Sequence, residues 1–253
     1  MRILLTNDDG IAAAGLRALE ETFRPLAEVF VVAPATPRNA AARSFSLDRP
    51  IHYQEAGPDR FAVDGTPVDC VYLALHHLLA GRPPDLVLSG INHGPNLAQD
   101  VTYSGTVGAA MEAADWGALA VAVSAGDRHA PTFYDEVALF VRQQVLPLLQ
   151  STGLPPRTFL NVNVPRCGAG EGATLPWRIT RQGRHAYLPR VVPLADPRGR
   201  SFCWLGGDLG EIDPDPASDH AALRAGQASL TPLGLDLTSA AGLERLRAQF
   251  TSP

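Results

Sequence analysis

The chain has 253 residues, a length that fits one large α/β domain or one domain with an extension. Its formal net charge is −5 and it contains no basic run, so the composition gives no support for binding to a nucleic-acid backbone. The three cysteines form no metal-binding motif. We find no signal-peptide pattern before the first strand, and no apolar run approaches the roughly 20 residues of a membrane helix. We therefore expect a cytoplasmic protein without membrane association.

The first 150 residues alternate between strand patterns and helix patterns. Residues 2–6, 12–24 and 28–33 predict a strand, a helix and a second strand, the order of a right-handed βαβ unit. A polar loop at 35–50 and a hairpin at 51–63 follow. The other predicted elements of this half are a helix at 66–80, a strand at 85–89, a helix at 105–116, a strand at 118–124 and a helix at 134–150. This alternation predicts an α/β fold with a doubly wound, mostly parallel sheet.

The composition changes after residue 151. Residues 166–217 are rich in Gly, Pro and Arg, which predicts hairpins and long loops that extend from the core. Strands are predicted at 158–164 and 227–233, and a terminal helix at 239–250. We therefore expect one domain with a core at 1–165 and an extension at 166–253. Because a long structureless stretch is unusual in a compact domain, we expect the extension to pack on a partner subunit.

Two adjacent carboxylates, Asp8 and Asp9, follow the first predicted strand. Like charges this close disfavour each other's ionisation. One acidic residue would be enough to cap the helix at 12–24, which is the simpler interpretation. Two indicate a hard divalent cation such as Mg²⁺ or Mn²⁺. Ligands of doubly wound sheets bind at the carboxyl ends of the strands, and this pair lies at such an end.

The segment SGINHGPNL, residues 89–97, follows another predicted strand. The amides of Asn92 and Asn96 could bind a cation through oxygen or donate to a phosphate through nitrogen. Asn and Gly are also common in ordinary turns, which is the alternative. His93 lies in the same loop and could reach the site, but packing or surface exposure is the simpler interpretation.

The segment YSGTVGAA, residues 103–110, opens a helix of small residues. Backbone N–H groups and two hydroxyls at a helix start form an anion site, although Ser and Thr also serve as ordinary caps. Neither GxxxxGK[ST] nor GxGxxG is present. The three segments together supply carboxylates, amides and an anion cradle at one edge of the sheet. That combination indicates metal-assisted hydrolysis of a phosphate ester.

Two other classes of protein fit the sequence less well. A haloacid-dehalogenase-type phosphatase uses a covalent aspartyl phosphate and carries its carboxylates as DxD, whereas here they are adjacent. A receiver-like module binds metal and phosphate without turnover and needs a lysine after its fifth strand. The chain contains no lysine, which argues against this class.

The chain resembles the SurE family (survival protein E), metal-dependent 5′/3′-nucleotidases, along nearly its whole length. The shared motifs are LLTNDDGI at 4–11, GTPVDCVYLAL at 65–75, SGINHGPN…D..YSGTVGAAMEAA at 89–114, NVNVP at 161–165 and SLTPLGLDLT at 229–238. The resemblance implies a Rossmann-like core with a hairpin extension and a C-terminal segment exchanged between subunits, giving a homodimer or homotetramer. It implies hydrolysis of nucleoside 5′-monophosphates, and also of 3′-monophosphates and short polyphosphate in some members.

The resemblance also implies a site, residue by residue. One divalent metal ion per subunit, Mg²⁺ or Mn²⁺, would bind to Asp8, Asp9, Asn39 and Asn92, and the phosphate would bind to Asn96, Ser104, Gly105 and Thr106. Asp8 is expected to be the catalytic group that orients the attacking water or accepts its proton.

One metal position departs from the family pattern. The family usually has a serine where this chain has Asn39. An amide oxygen is a good ligand for a hard cation, and the spacing from VVAP favours Asn39. A shifted register would instead place Ser44 there. The segment Ser218-Asp219-His220 is a further candidate to supply an acid, and we expect base recognition in the loops at 35–50 and 93–100 or in the extension.

Overall fold

The structure is a computed structural model, and it describes residues 1–126 and 133–250. The strands are β1 (Arg2–Thr6), β2 (Glu28–Pro34), β3 (Tyr53–Gly57), β4 (Arg60–Val63), β5 (Leu86–Asn92), β6 (Leu119–Ala125), β7 (Thr158–Val164), β8 (Trp177–Ile179), β9 (His185–Ala195), β10 (Ser201–Ile212) and β11 (Ala228–Gly234). The helices are α1 (Ala14–Phe23), α2 (Pro67–Leu73), α3 (Gly105–Asp115), α4 (Tyr134–Phe140), α5 (Leu146–Thr152), α6 (Asp219–Arg224) and α7 (Ala240–Phe250). Short π-helical segments continue α2 and join α4 to α5.

The core is a nine-stranded sheet in the order β3-β4-β2-β1-β5-β6-β7-β11-β8. β1 lies between β2 and β5 and pairs in parallel with both. The antiparallel pairs of this sheet are β3 with β4 and β11 with β7. The predicted fold class, a doubly wound and mostly parallel α/β sheet, is therefore confirmed.

Helices cover both faces of this sheet. Ile3 and Leu5 of β1 belong to the apolar cluster that packs against α1 and α4, whereas Leu4 belongs to the cluster under α2 and α3. Because successive strand residues point to opposite faces, a strand with apolar residues at every position must be buried on both sides. On α1, Leu16 and Phe23 are fully buried, so this helix packs an apolar face against the sheet.

The start of α2 shows how local sequence fixes an element. The Thr66 side chain accepts the backbone N–H of Asp69, and the Asp69 carboxylate accepts the N–H of Thr66 at 2.8 Å. Pro67 occupies the first helical position, where a missing N–H costs nothing. These bonds form a capping box that fixes the direction of the chain as it leaves the hairpin β3–β4.

The segment after residue 166 contributes to two separate parts of the molecule. β9 and β10 form a long antiparallel hairpin outside the main sheet. β11 inserts between β7 and β8, so the main sheet takes two strands from the segment predicted as an extension. The short helix α6 was not predicted. Among the described helices, none combines the length and the apolar character needed to cross a membrane.

Candidate active site

A cleft of about 440 Å³ opens at the carboxyl ends of β1 and β5. Six of the residues predicted for the site line it: Asp8, Asp9, Asn39, Asn92, Asn96 and Ser104. They come from four separate segments of the chain, so the fold brings together what the sequence separates. Its other lining side chains include His93, Asp100, Tyr103 and Tyr187.

The two adjacent carboxylates are buried in different surroundings. Asp8 is only 5% exposed, and the Thr106 hydroxyl donates to its Oδ1 at 2.5 Å. Burial raises the pKa of Asp8 above its usual range, and the Thr106 hydrogen bond opposes that rise. Burial also raises the pKa of Asp9 to about 6, which His93 opposes and the charge of Asp8 reinforces. His93 Nδ1 lies 3.2 Å from Asp9 Oδ1.

This pair fits a cation in its chemistry. Among the described residues, Asp9 Oδ2 is buried without a hydrogen-bond partner. A buried carboxylate oxygen without a donor is costly, and a positive ion would offset both that cost and the repulsion from Asp8. The residues that the structure describes contain no cluster of three or more His, Cys, Asp or Glu side chains that could hold a metal. A cation in the cleft would therefore also need amide oxygens.

The loop at 35–50 is held against the cleft by its backbone. Arg38 N–H donates to the Asp8 carbonyl at 2.7 Å, and Ala42 N–H donates to the Tyr103 carbonyl at 3.0 Å. Asn39 lies between these two anchors and lines the cleft. Ser44 is exposed, and its hydroxyl donates to the Ala41 carbonyl at 2.7 Å. This placement favours Asn39 over Ser44 at the position where the family has serine.

Ion pairs between an arginine of this loop and two acidic residues of α3 support the loop. The Arg43 guanidinium contacts Glu112 at 2.7 Å and Asp115 at 2.5 Å. Glu112 is almost fully buried, so the pair is better shielded from solvent than an exposed ion pair. A Cβ on Gly108 would lie 2.2 Å from the Ala42 carbonyl oxygen, so the loop sits directly on the helix backbone.

The two asparagines of the β5 edge are held in different ways. The Asn92 amide nitrogen donates to the Gly94 carbonyl at 2.7 Å, so the oxygen of the same amide is the atom that a cation would use. The backbone of Asn96 is clamped by β7, because Asn163 Oδ1 accepts its N–H and Asn161 Nδ2 donates to its carbonyl, each at 2.8 Å. Its side-chain nitrogen donates to Ser124 Oγ at 2.8 Å.

The clamp residues of β7 were not predicted as part of the site. Asn161 and Asn163 are fully buried and alternate with apolar residues in NVNV. Buried amides are found where they satisfy a specific partner. Asparagines inside an otherwise apolar strand were therefore the sequence signal that could have indicated a buried polar contact here.

The N-terminus of α3 lies beside Asp8. Ser104 is the N-cap, and its hydroxyl accepts the Val107 N–H at 3.1 Å. A Cβ on Gly105 would lie 2.9 Å from the Asp8 Cβ, so glycine allows the helix to start this close to the carboxylate. Thr106 is fully buried behind Asp8, where its hydroxyl serves the carboxylate rather than the cleft surface.

The candidate acid in the segment Ser218-Asp219-His220 lies outside the cleft lining. The Asp219 carboxylate is fully buried and accepts the backbone N–H groups of Ala98, Gly183 and His220 at 2.8 to 3.0 Å. It therefore joins the base of the hairpin β9–β10 to the loop that precedes α3, because those N–H groups come from both. Because Asp219 lies outside the cleft and accepts three backbone N–H groups, its position does not support a role as an acid in the reaction.

The fold and the cleft define a class: a Rossmann-like α/β protein with an acidic, amide-lined site at the carboxyl ends of its strands. The profile of the family described as Survival protein SurE matches residues 3–189. This chain belongs to the SurE family.

Relatives agree with this assignment over nearly the full length. A protein from Pelobacter propionicus named 5′-nucleotidase SurE is 45% identical, covering 96% of this chain and 97% of its own. A protein of the same name from Myxococcus xanthus is 48% identical over 94% of this chain and 88% of its own. The crystal structure of the SurE protein from Aquifex aeolicus matches with a TM-score of 0.83 at 37% identity, covering 98% of this chain and 99% of that one.

Proposed function

We propose that this protein is a metal-dependent 5′-nucleotidase, which hydrolyses nucleoside 5′-monophosphates to nucleoside and phosphate. The observation that carries the proposal is the pair of buried carboxylates, Asp8 and Asp9, next to the N-terminus of α3 in one cleft. Relatives with 43% to 48% identity carry the name 5′-nucleotidase. Hydrolysis of 3′-monophosphates and of short polyphosphate is part of the same proposal.

One divalent ion per subunit, Mg²⁺ or Mn²⁺, would be held by Asp8, Asp9, Asn39 and Asn92. The unpartnered Asp9 Oδ2 and the raised pKa values of both carboxyl groups support this assignment. When bound, the ion would polarise the phosphoryl oxygen and acidify a water molecule.

The protein's own residues would bind and orient the reacting groups. The N-terminus of α3 offers the backbone N–H groups after Ser104, which suit the oxygens of a phosphate. The Asn96 side chain lines the same cleft and adds an amide. Thr106 fixes one oxygen of Asp8, and we assign to this carboxylate the task of orienting the attacking water or accepting its proton.

The test is a phosphate-release screen across 5′- and 3′-monophosphates and short polyphosphate with the metal varied. Excess EDTA is expected to abolish release, and Mg²⁺ or Mn²⁺ to restore it. Asp8→Asn is expected to lower kcat by a factor of at least about 100 while the protein stays folded, because the substitution removes the charge and keeps the shape. Asp59→Asn, at an exposed aspartate in the turn between β3 and β4 and outside the cleft lining, is the matched control. Full activity in excess EDTA would refute the proposal.

We also propose a homodimer or homotetramer that forms through the hairpin β9–β10 and the C-terminal segment. Val191, Trp204 and Leu205 of the hairpin are 60%, 68% and 78% exposed, which supports a role in contacts between subunits. Cys70, Cys167 and Cys203 are all free, which supports a reducing compartment, the cytoplasm.

A further inference from the structure

Three side chains line the cleft beyond the residues assigned to metal and phosphate: Asp100, Tyr103 and Tyr187. Asp100 lies on the 3₁₀ turn Ala98–Thr102, four residues before the N-cap of α3. Its carbonyl oxygen accepts the N–H groups of both Tyr103 and Ser104 at 3.0 Å. The turn is therefore built onto the phosphate cradle, and the carboxylate of Asp100 lies next to it.

The base of the hairpin orients this carboxylate. The Tyr187 hydroxyl lies 2.8 Å from Asp100 Oδ1 and 3.0 Å from Oδ2. His185 Nε2 lies 3.4 Å from Oδ1, and the other ring nitrogen of His185 lies 2.8 Å from His220 Nε2. A carboxylate has about four acceptor positions on its two oxygens, and these neighbours use only some of them. Acceptor positions remain for a ligand in the cleft.

The chemistry of Asp100 selects the kind of ligand. A carboxylate repels a phosphate, so this residue does not belong to the anion cradle. It accepts hydrogen bonds from neutral donors, and hydroxyl groups of a ribose are donors that acidic residues of Rossmann-like folds recognise. Tyr103 and Tyr187 are 65% and 47% exposed and line the same cleft, and the Tyr187 ring packs edge-on against His185. Exposed aromatic rings offer stacking surfaces for any nucleobase.

We infer that Asp100, Tyr103 and Tyr187 form a nucleoside subsite. Asp100 accepts a hydrogen bond from a ribose hydroxyl, and the tyrosine rings stack on the base without selecting among bases. The inference rests on the proposed function, because it takes the phosphate of the same molecule to lie in the α3 cradle. The competing explanation is that Asp100 only anchors the hairpin to the turn.

Substrate pairs separate these explanations in the native enzyme. AMP and 2′,3′-dideoxy-AMP differ only in the ribose hydroxyls, so wild type is expected to hydrolyse AMP with a kcat/KM about tenfold higher or more, the usual effect of losing a hydrogen bond to a charged group. In Asp100→Asn this preference is expected to fall severalfold, because the amide keeps only one acceptor oxygen and carries no charge. Asp208→Asn, an exposed aspartate of the hairpin outside the cleft, is expected to keep it.

A second pair tests the stacking surface. AMP and ribose 5-phosphate differ in the base, so wild type is expected to prefer AMP by about tenfold, as one stacking contact provides. Tyr103→Ala is expected to lose most of that preference. Melting temperatures of all variants show whether each is folded. If a variant does not fold, the wild-type ratios still test the subsite, because ratios near one refute it.

Two results would overturn the subsite. One is a wild-type ratio near one for AMP against dideoxy-AMP. The other is an equal loss on both substrates in Asp100→Asn, the result that a pure anchor predicts. If wild type releases no phosphate from any ester with metal present, the proposed function fails and the subsite fails with it. That outcome differs from normal phosphate release without selectivity, which refutes the subsite alone.

Discussion

The carboxyl group of Asp9 titrates in an accessible pH range. Its side chain is 8% exposed, and burial raises its pKa from 3.8 to about 6, against the opposing effect of His93. The folded metal-free protein therefore binds a proton on Asp9 more tightly than the unfolded chain does. This group's contribution to stability is fully present below pH 4 and is lost as the pH rises through about 6.

Asp9→Asn is expected to stabilise the metal-free protein at pH 8 by up to about 3 kcal/mol, because a shift of two pKa units is worth that much. The gain is expected to shrink to a small part of this value at pH 4, where the carboxyl is protonated in the folded protein and about half protonated in the unfolded chain. Urea unfolding of both proteins in EDTA, from pH 4 to pH 8, measures the difference. Asp48→Asn serves as the control, and a gain that does not depend on pH would contradict the prediction.

Residue types at strand ends predicted much of the site. Asp8, Asp9 and Asn92 could be found because each follows an apolar run and carries a polar group suited to a cation, and Ser104 could be found because it opens a helix of small residues. The support of Asn96 could not be found in this way, because its partner Asn163 lies 67 positions further along the chain. Contacts of this kind depend on which strands become neighbours, and local sequence does not encode that.

At the scale of elements, α3 contacts both Asp8 and the loop that carries Asn39, which line the cleft together. Its first turn lies against Asp8 through Gly105, and one turn later Gly108 lies against the loop that carries Asn39. Gly105 faces the Cβ of Asp8 and Gly108 faces a backbone carbonyl, so rotation of a side chain cannot relieve either contact. The absence of side chains at these two positions lets one helix position both a carboxylate and a loop.

Gly108→Ala is expected to lower kcat/KM by at least about tenfold with the fold retained. Its Cβ would lie 2.2 Å from the Ala42 carbonyl oxygen, so the loop must move. Alanine also favours a helix over glycine by about 1 kcal/mol, which partly offsets the strain in the free energy of unfolding. Steady-state kinetics together with a melting curve measure the two effects.

Gly206→Ala is the control for that substitution, because a Cβ on Gly206 meets nothing within 4 Å. Wild-type kinetics in Gly108→Ala would show that the loop can shift without disturbing the site.

Element boundaries were predicted correctly where local sequence signals are strong. They were missed where the pairing of neighbouring strands sets the end of an element. The predicted strand at 158–164 and the predicted start of the helix at residue 66 agree with the structure. β5 was predicted to end at residue 89, yet it continues to Asn92, which pairs with Ser124 after a register shift. Gly and Asn favour turns locally, and the pairing with β6 overrides that preference.

At the scale of the whole molecule, the hairpin β9–β10 exposes apolar side chains and also supplies Tyr187 to the cleft. Val191 and Leu205 lie opposite each other in the hairpin register, so they form one patch. If subunits associate through this patch, assembly and the shape of the cleft share one element.

The double substitution Val191→Glu with Leu205→Glu is expected to convert the proposed oligomer to a monomer, because two charges would have to be buried without partners. Size-exclusion chromatography with light scattering measures the mass. Leu47→Glu is the control, since Leu47 is 89% exposed and lies outside the hairpin. A monomeric wild type, or a double variant of unchanged mass, would refute assembly through the hairpin.

The place of β11 in the sheet has a consequence for how the protein is made. β7, whose Asn161 and Asn163 clamp Asn96, pairs on its outer side with β11, and Asn163 lies opposite Ser229. A ribosome must therefore synthesise more than 60 further residues after β7 before its neighbour exists. Until then β7 is an open edge that invites pairing with other chains. The strand that carries the Asn96 clamp stays unpaired on this side until β11 has been synthesised, so products truncated before β11 are expected to be inactive and prone to aggregate.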